Sequence, residues 1–207
     1  MSRASTTLRL PDPAKDYTTF PAYHHRARVC RYRAHGAHSP WYFSSAVGRF
    51  NLQTPKGTLN TASSEEVAVR EFLGVAFVGE PTIPAAMIID RWISHLEIPG
   101  IKAADFTAGA ASAFGIVPGD ITAPMNDDYV MTRAWAAAMD TAGFDGIQSR
   151  SRFGAGTNPT CLYIFGTAGE KEIGSTNARV SMRSVIETMP GYTIDSIPTS
   201  DVLVVDP

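Results

Sequence analysis

Apolar and polar positions alternate through Val29–Ala34, VCRYRA, which predicts a short strand with Arg31 and Arg33 on one side. Lys56–Ala62, KGTLNTA, follows a Pro-containing turn at Thr54–Pro55 and reads as a second strand. Ser63, with Glu66 three positions on, has capping-box spacing ahead of VAVREFLGVAF and predicts a helix there. On that helix Glu71 lies four residues after Val67, three after Ala68 and four before Val75, so a carboxylate shares the apolar stripe. An inward-facing charge is costly unless paired, which leaves Glu71 bonded to a core arginine or placed in a cleft. Arg70, four after Glu66, has the spacing of a surface pair.

Between Pro81 and Pro84 the chain turns. MIIDRWISHLEI fits a period of four through Ile88, Trp92 and Leu96, and equally an alternation through Trp92, Ser94 and Leu96; we read it as strand. Residues 108–125, rich in Ala, Gly and Pro, predict an irregular excursion. Asn126 and Asp127 cap DYVMTRAWAAAMDTAG, a helix with Met131, Trp135, Ala138 and Met139 as its buried stripe and Gly143 as its stop. FDGIQSRSR then holds a short strand at Ile147 and an arginine-bearing turn, TCLYIFG a strand ending at Gly166, and VLVV a last apolar run. Strands and helices mix without a regular βαβ repeat, so the expected class is α+β: one domain with mixed, mainly antiparallel sheets and flanking helices. Residues 1–25, with Pro11, Pro13 and Pro21, read as an extension outside the core, leaving 26–207 as the domain.

Composition narrows the function classes. The 207 residues are 44% hydrophobic and 18% charged, as in globular proteins, with a net charge of −2. That charge argues against direct nucleic-acid binding or adhesion to an anionic membrane. No run approaches the roughly 18 apolar residues of a membrane span, and no apolar leader is evident, so a cytoplasmic location is expected. Cys30 and Cys161 are too far apart and too alone for a metal-ligand pattern, and both are read as reduced. The five histidines include no H-E-x-x-H, so no metal is expected. Neither a G-x-S-x-G elbow nor a dinucleotide or P-loop glycine pattern follows a strand.

Arginine outnumbers lysine, and Arg26, Arg28, Arg31 and Arg33 cluster upstream of Arg49. Guanidinium forks suit phosphate and carboxylate. With Glu71, Ser151, Arg152 and the rings of Tyr42, Phe43 and Phe50, they supply what a phosphorylated, ring-bearing ligand needs: charge, a flat surface and an acceptor for a ribose hydroxyl. The same residue types would also serve an internal Arg–Glu ion pair in a structural core.

The order of several blocks adds to this. RYRAH (31–35), PWYFSS (40–45), GRFN (48–51), P-K-GTL (55–59), A-V-R-E (68–71), RAWAAAMDTAGFDGI (133–147), RSR (150–152) and LYIFG (162–166) together resemble the RES domain family over roughly residues 29–166. The resemblance implies an ADP-ribosyltransferase-like fold and a toxin acting on NAD+, paired with an Xre-type antitoxin. It implies cleavage of the nicotinamide–ribose bond, with ADP-ribose passed to phosphate or water and no cofactor beyond NAD+ as substrate and inorganic phosphate as co-substrate. Transfer to a protein side chain and a catalytically weak nucleotide-binding domain remain the alternatives.

By position, the resemblance assigns catalytic roles to Arg49, Glu71 and Ser151, and ligand binding to Arg33, Tyr42, Phe43, Asn60 and Arg152. Two tyrosines usual in the family are replaced here by Asn60 and Ser149. Tyr42, Phe43 and Phe50 are therefore the expected substitutes for the lost stacking surface.

Overall fold

The computed structural model describes residues 8–74, 79–123 and 129–195. Its strands are β1 (Ala22–His25), β2 (Cys30–His35), β3 (Tyr42–Phe43), β4 (Lys56–Ala62), β5 (Thr82–Pro84), β6 (Trp92–Glu97), β7 (Ile101–Asp105), β8 (Gly146–Arg150), β9 (Thr160–Thr167), β10 (Gly169–Glu170), β11 (Ser175–Ser181) and β12 (Thr193–Asp195). The helices are α1 (Glu65–Leu73), α2 (Ala85–Ile88), α3 (Pro118–Thr122), α4 (Val130–Thr141) and α5 (Met182–Ile186). Eight strands form one sheet in the order β1-β7-β8-β9-β4-β2-β6-β11, antiparallel throughout except between β7 and β8. Two small ribbons join β3 to β10 and, in parallel, β12 to β5. The α+β class with a mixed, mainly antiparallel sheet is what the sequence pattern predicts.

Alternation along the strands divides the core. One face carries Val67 and Val69 of α1, Trp135 and Met139 of α4, and Met182 and Ile186 of α5, packed with Ile147 and Tyr163. The other carries a smaller cluster of Trp41, Phe43, Leu59, Leu96, Leu162 and Ile164. Each fully buried large side chain contributes roughly 1.5–3 kcal/mol relative to exposure. Phe43 packs close against the sheet at residue 166 only because that residue is glycine: a Cβ there would stand 2.7 Å from Phe43 Cε1. The blocks PWYFSS and LYIFG are thus joined by packing.

Several expectations are revised. The cap of α1 is Ser64, whose side chain accepts from Val67 N, while Ser63 Oγ accepts from Thr160 N and ties the strand end to β9. The segment read as one strand over MIIDRWISHLEI is split: α2 ends before Asp90, whose φ of 56° breaks the regular backbone, and β6 follows. Residues 109–114 form a 3-10 turn and Pro118–Thr122 a short helix, where an irregular excursion was expected. In α4 the most buried residues are Thr132, Trp135, Ala136 and Met139, with Met131 and Ala138 at the margin. The expected caps Asn126 and Asp127, Val75 and the VLVV run lie outside the described residues.

The N-terminal segment is also part of the core. Leu8, Tyr17 and Phe20 are buried, Trp135 Nε1 donates to the Arg9 carbonyl at 2.8 Å, and β1 forms one edge of the main sheet. Phe20 packs on Phe114 and Phe106 with ring centroids 4.8 and 5.2 Å apart. Isolated apolar residues between prolines carry no period, yet each fills a gap that the rest of the chain leaves. No helix among the described residues is long and apolar enough to cross a membrane.

Candidate active site

β2 runs in register with β6 from Cys30↔Glu97 to His35↔Trp92, but it meets β4 only at Tyr32↔Ala62. Beyond that contact the strands part, with Arg33 and Ala34 on one bank and Asn60 and Thr61 on the other. α1, which starts three residues after β4, closes one side, and the loop through Gly48 and Arg49 closes another. The result is a cleft of about 470 Å³, within the roughly 300–1,000 Å³ usual for small-molecule sites. Its charged lining residues are Arg33, Arg49, Arg152 and Glu71, a cationic excess suited to an anionic ligand.

Glu71 projects from α1 and is half-buried. Its Oε1 accepts from the Ser151 hydroxyl, from Arg152 N at 2.8 Å and from Phe153 N at 3.3 Å. Oε2 has no partner among the described residues, so one oxygen is anchored and the other is left for the cleft. The structure therefore resolves the sequence alternatives: Glu71 pairs with backbone and hydroxyl donors of the turn after β8 and not with a core arginine. Ser151 is buried behind this carboxylate, outside the cleft lining, and also accepts from Gly154 N at 2.7 Å. It positions Glu71.

Arg33 donates through Nη2 to the Tyr42 carbonyl at 2.7 Å, whereas its buried Nη1 has no partner among the described residues. Burial pulls its pKa down to about 10, so it stays charged at neutral pH. Arg31, on the same side of β2, is buried and donates to Thr61 Oγ1 and the Thr160 carbonyl, both at 3.4 Å. Arg49 lines the cleft with its guanidinium bonded to the Ile121 and Ala123 carbonyls at the end of α3 and 5.2 Å from the Tyr129 ring. Its fork is occupied. Arg152 lines the cleft as well, 4.8 Å over the Phe153 ring. Cys161 sits in the cleft wall, where burial, and then the charge of Glu71, push its thiol up to about 12.

Of the rings expected to face the ligand, none lines the cleft. Phe43 and Phe50 are core residues at 1% and 0% exposure. Tyr42 stacks on His38 at 3.9 Å and contributes only its carbonyl, to Arg33. The rings that line the cleft are Tyr32, Phe72, Tyr129, Phe153 and Tyr163. Tyr163 lies directly across from Asn60 in the β4–β9 register, while Ser149 is buried away from the lining. A ring of the neighbouring strand thus stands beside Asn60, a signal visible in LYIFG only once the register is known.

The RES domain pattern matches residues 23–182. The chain belongs to the RES domain family. This RES domain is similar to a chain of the crystal structure of the M. tuberculosis MbcT–MbcA toxin–antitoxin complex, with a TM-score of 0.57 and 19% identity over 78% of this chain and 90% of that one. At that identity the likeness establishes the fold. No curated protein matches the sequence.

Proposed function

We propose that this RES domain is an NAD+-degrading enzyme of toxin type, which breaks the nicotinamide–ribose bond and passes ADP-ribose to phosphate or water. The observation that carries the reading is Glu71, a carboxylate anchored through Oε1 by Arg152 N and Ser151 with Oε2 left free, on the wall of an otherwise cationic cleft. Loss of nicotinamide leaves an oxocarbenium-like ribose, and a fixed carboxylate that bonds a ribose hydroxyl and faces the growing positive charge lowers that barrier. Arg33, with one orphaned donor, and Arg152 hold the pyrophosphate. Arg49, whose guanidinium donates to the Ile121 and Ala123 carbonyls, exchanges those acceptors for the pyrophosphate when ligand binds. The partner this reading implies is an antitoxin, as in the toxin–antitoxin complex that the fold resembles.

The test is product analysis of NAD+ incubated with the purified chain, with and without phosphate. Release of nicotinamide supports the reading, and phosphate dependence identifies the acceptor. A chain that neither binds NAD+ nor releases nicotinamide refutes it. The occupied fork of Arg49 favours one second reading, a catalytically weak nucleotide-binding domain, which binding without nicotinamide release would establish. Label from NAD+ appearing on protein would instead indicate protein ADP-ribosylation.

A further inference from the structure

We infer that Asn60 reads the exocyclic amino group of one base of the dinucleotide, accepting its N–H at Oδ1; the inference rests on the NAD+ reading above. A chain of hydrogen bonds sets the direction of the Asn60 amide. Ser44 Oγ donates to the Thr58 carbonyl at 3.4 Å and accepts from Asn51 Nδ2 at 2.8 Å. Asn51 consequently turns Oδ1 toward Asn60, and Asn60 Nδ2 donates to it at 3.4 Å. Asn60 Oδ1 is left buried with no partner among the described residues. Gly48 is part of this arrangement, because a Cβ there would stand 3.0 Å from Asn51 Oδ1.

A buried orphan acceptor is costly in the empty protein, and a ligand donor that meets it removes that cost. The oxygen is shielded from bulk water, so a ligand donor meets it only if the side chains over it give way. The surroundings select the donor. Tyr163 across the strand pair, Ala62 on the same face and the protonated thiol of Cys161 give this part of the wall neutral side chains of its own, suited to a base more than to phosphate. Ribose hydroxyls have the better acceptor in Glu71. Nicotinamide carries a carboxamide NH2 and adenine a ring amino group. Either matches Oδ1, whereas a carboxylate or an oxo group at the same place sets acceptor against acceptor.

Equilibrium binding to the whole chain carrying Glu71→Gln, so that ligand is not consumed, tests this with NAD+, nicotinic acid adenine dinucleotide and nicotinamide hypoxanthine dinucleotide. One of the two analogues is expected to bind about tenfold to a hundredfold more weakly than NAD+, and which one identifies the base. Adding Asn60→Ala should close that gap to about threefold or less, while Asn60→Asp, which keeps an acceptor, should preserve it. Analogues that bind as tightly as NAD+, or a gap that survives Asn60→Ala, overturn the assignment of Asn60 while leaving the NAD+ reading intact. Should Asn60→Ala not fold, loss of the gap in Asn60→Asp overturns it equally. Binding of none of the three dinucleotides overturns the NAD+ reading itself.

Discussion

Replacing Glu71 with glutamine keeps the size of the side chain and removes its charge, so it separates a chemical role from a structural one. In the folded chain Oε1 accepts one hydroxyl and two backbone donors, the closer backbone donor at 2.8 Å. Hydrogen bonds to a charged acceptor are worth about 1 kcal/mol more than neutral ones. For the two short bonds the loss is about 2 kcal/mol, which lowers Tm by roughly 4–8 °C in a chain of this size. If the free Oε2 stabilises an oxocarbenium-like ribose, removing its charge should slow nicotinamide release by about 10²–10³-fold. NAD+ affinity should change far less, since the charge matters most in the transition state. Turnover at saturating NAD+, calorimetric Kd and Tm are the three measurements. Turnover within about fivefold of wild type, or a fall that tracks Kd, would refute the chemical role of Glu71.

Four further outcomes are expected. Arg33→Lys keeps the charge but loses the second arm of the fork, and should weaken NAD+ binding about tenfold to a hundredfold by calorimetry. Phe50→Ala should cost about 3–5 kcal/mol in urea unfolding, with NAD+ affinity of the folded fraction nearly unchanged, because the ring is core and not cleft wall. Burial, and then the charge of Arg31, hold the His25 imidazole below its ordinary 6.5. The unfolded chain therefore takes up a proton that the folded chain resists. Stability is fully present above that ordinary value and falls as pH drops through it toward the depressed folded value, so the wild-type urea midpoint should fall on acidification and fall less in His25→Gln. With its thiol pushed up to about 12, Cys161 should resist alkylation at pH near 8 in the folded chain and react in urea.

The sequence by itself determined the elements that announce themselves locally. The turn before Lys56, the apolar run of TCLYIFG and the stripe and glycine stop of the helix at 130–141 placed β4, β9 and α4 close to where they stand. The order of the blocks from RYRAH to LYIFG carried the family resemblance, and an inward carboxylate on an apolar stripe marked Glu71. Tertiary structure alone decided which side chains meet. A periodic pattern reports that a residue has a buried side, but not which strand lies opposite, and cross-strand register joins residues about a hundred positions apart, as with Asn60 and Tyr163. For that reason the rings of the cleft wall were sought in Tyr42, Phe43 and Phe50, close in sequence to Arg49, whereas the one beside Asn60 stands on β9. The same holds for Phe43, drawn onto the sheet by the absent side chain of Gly166, and for Leu8, Tyr17 and Phe20, whose burial depends on holes shaped by distant segments. The cleft itself arises where β2 and β4 separate after one shared pair, a property of two strands together that neither strand's own residues encode.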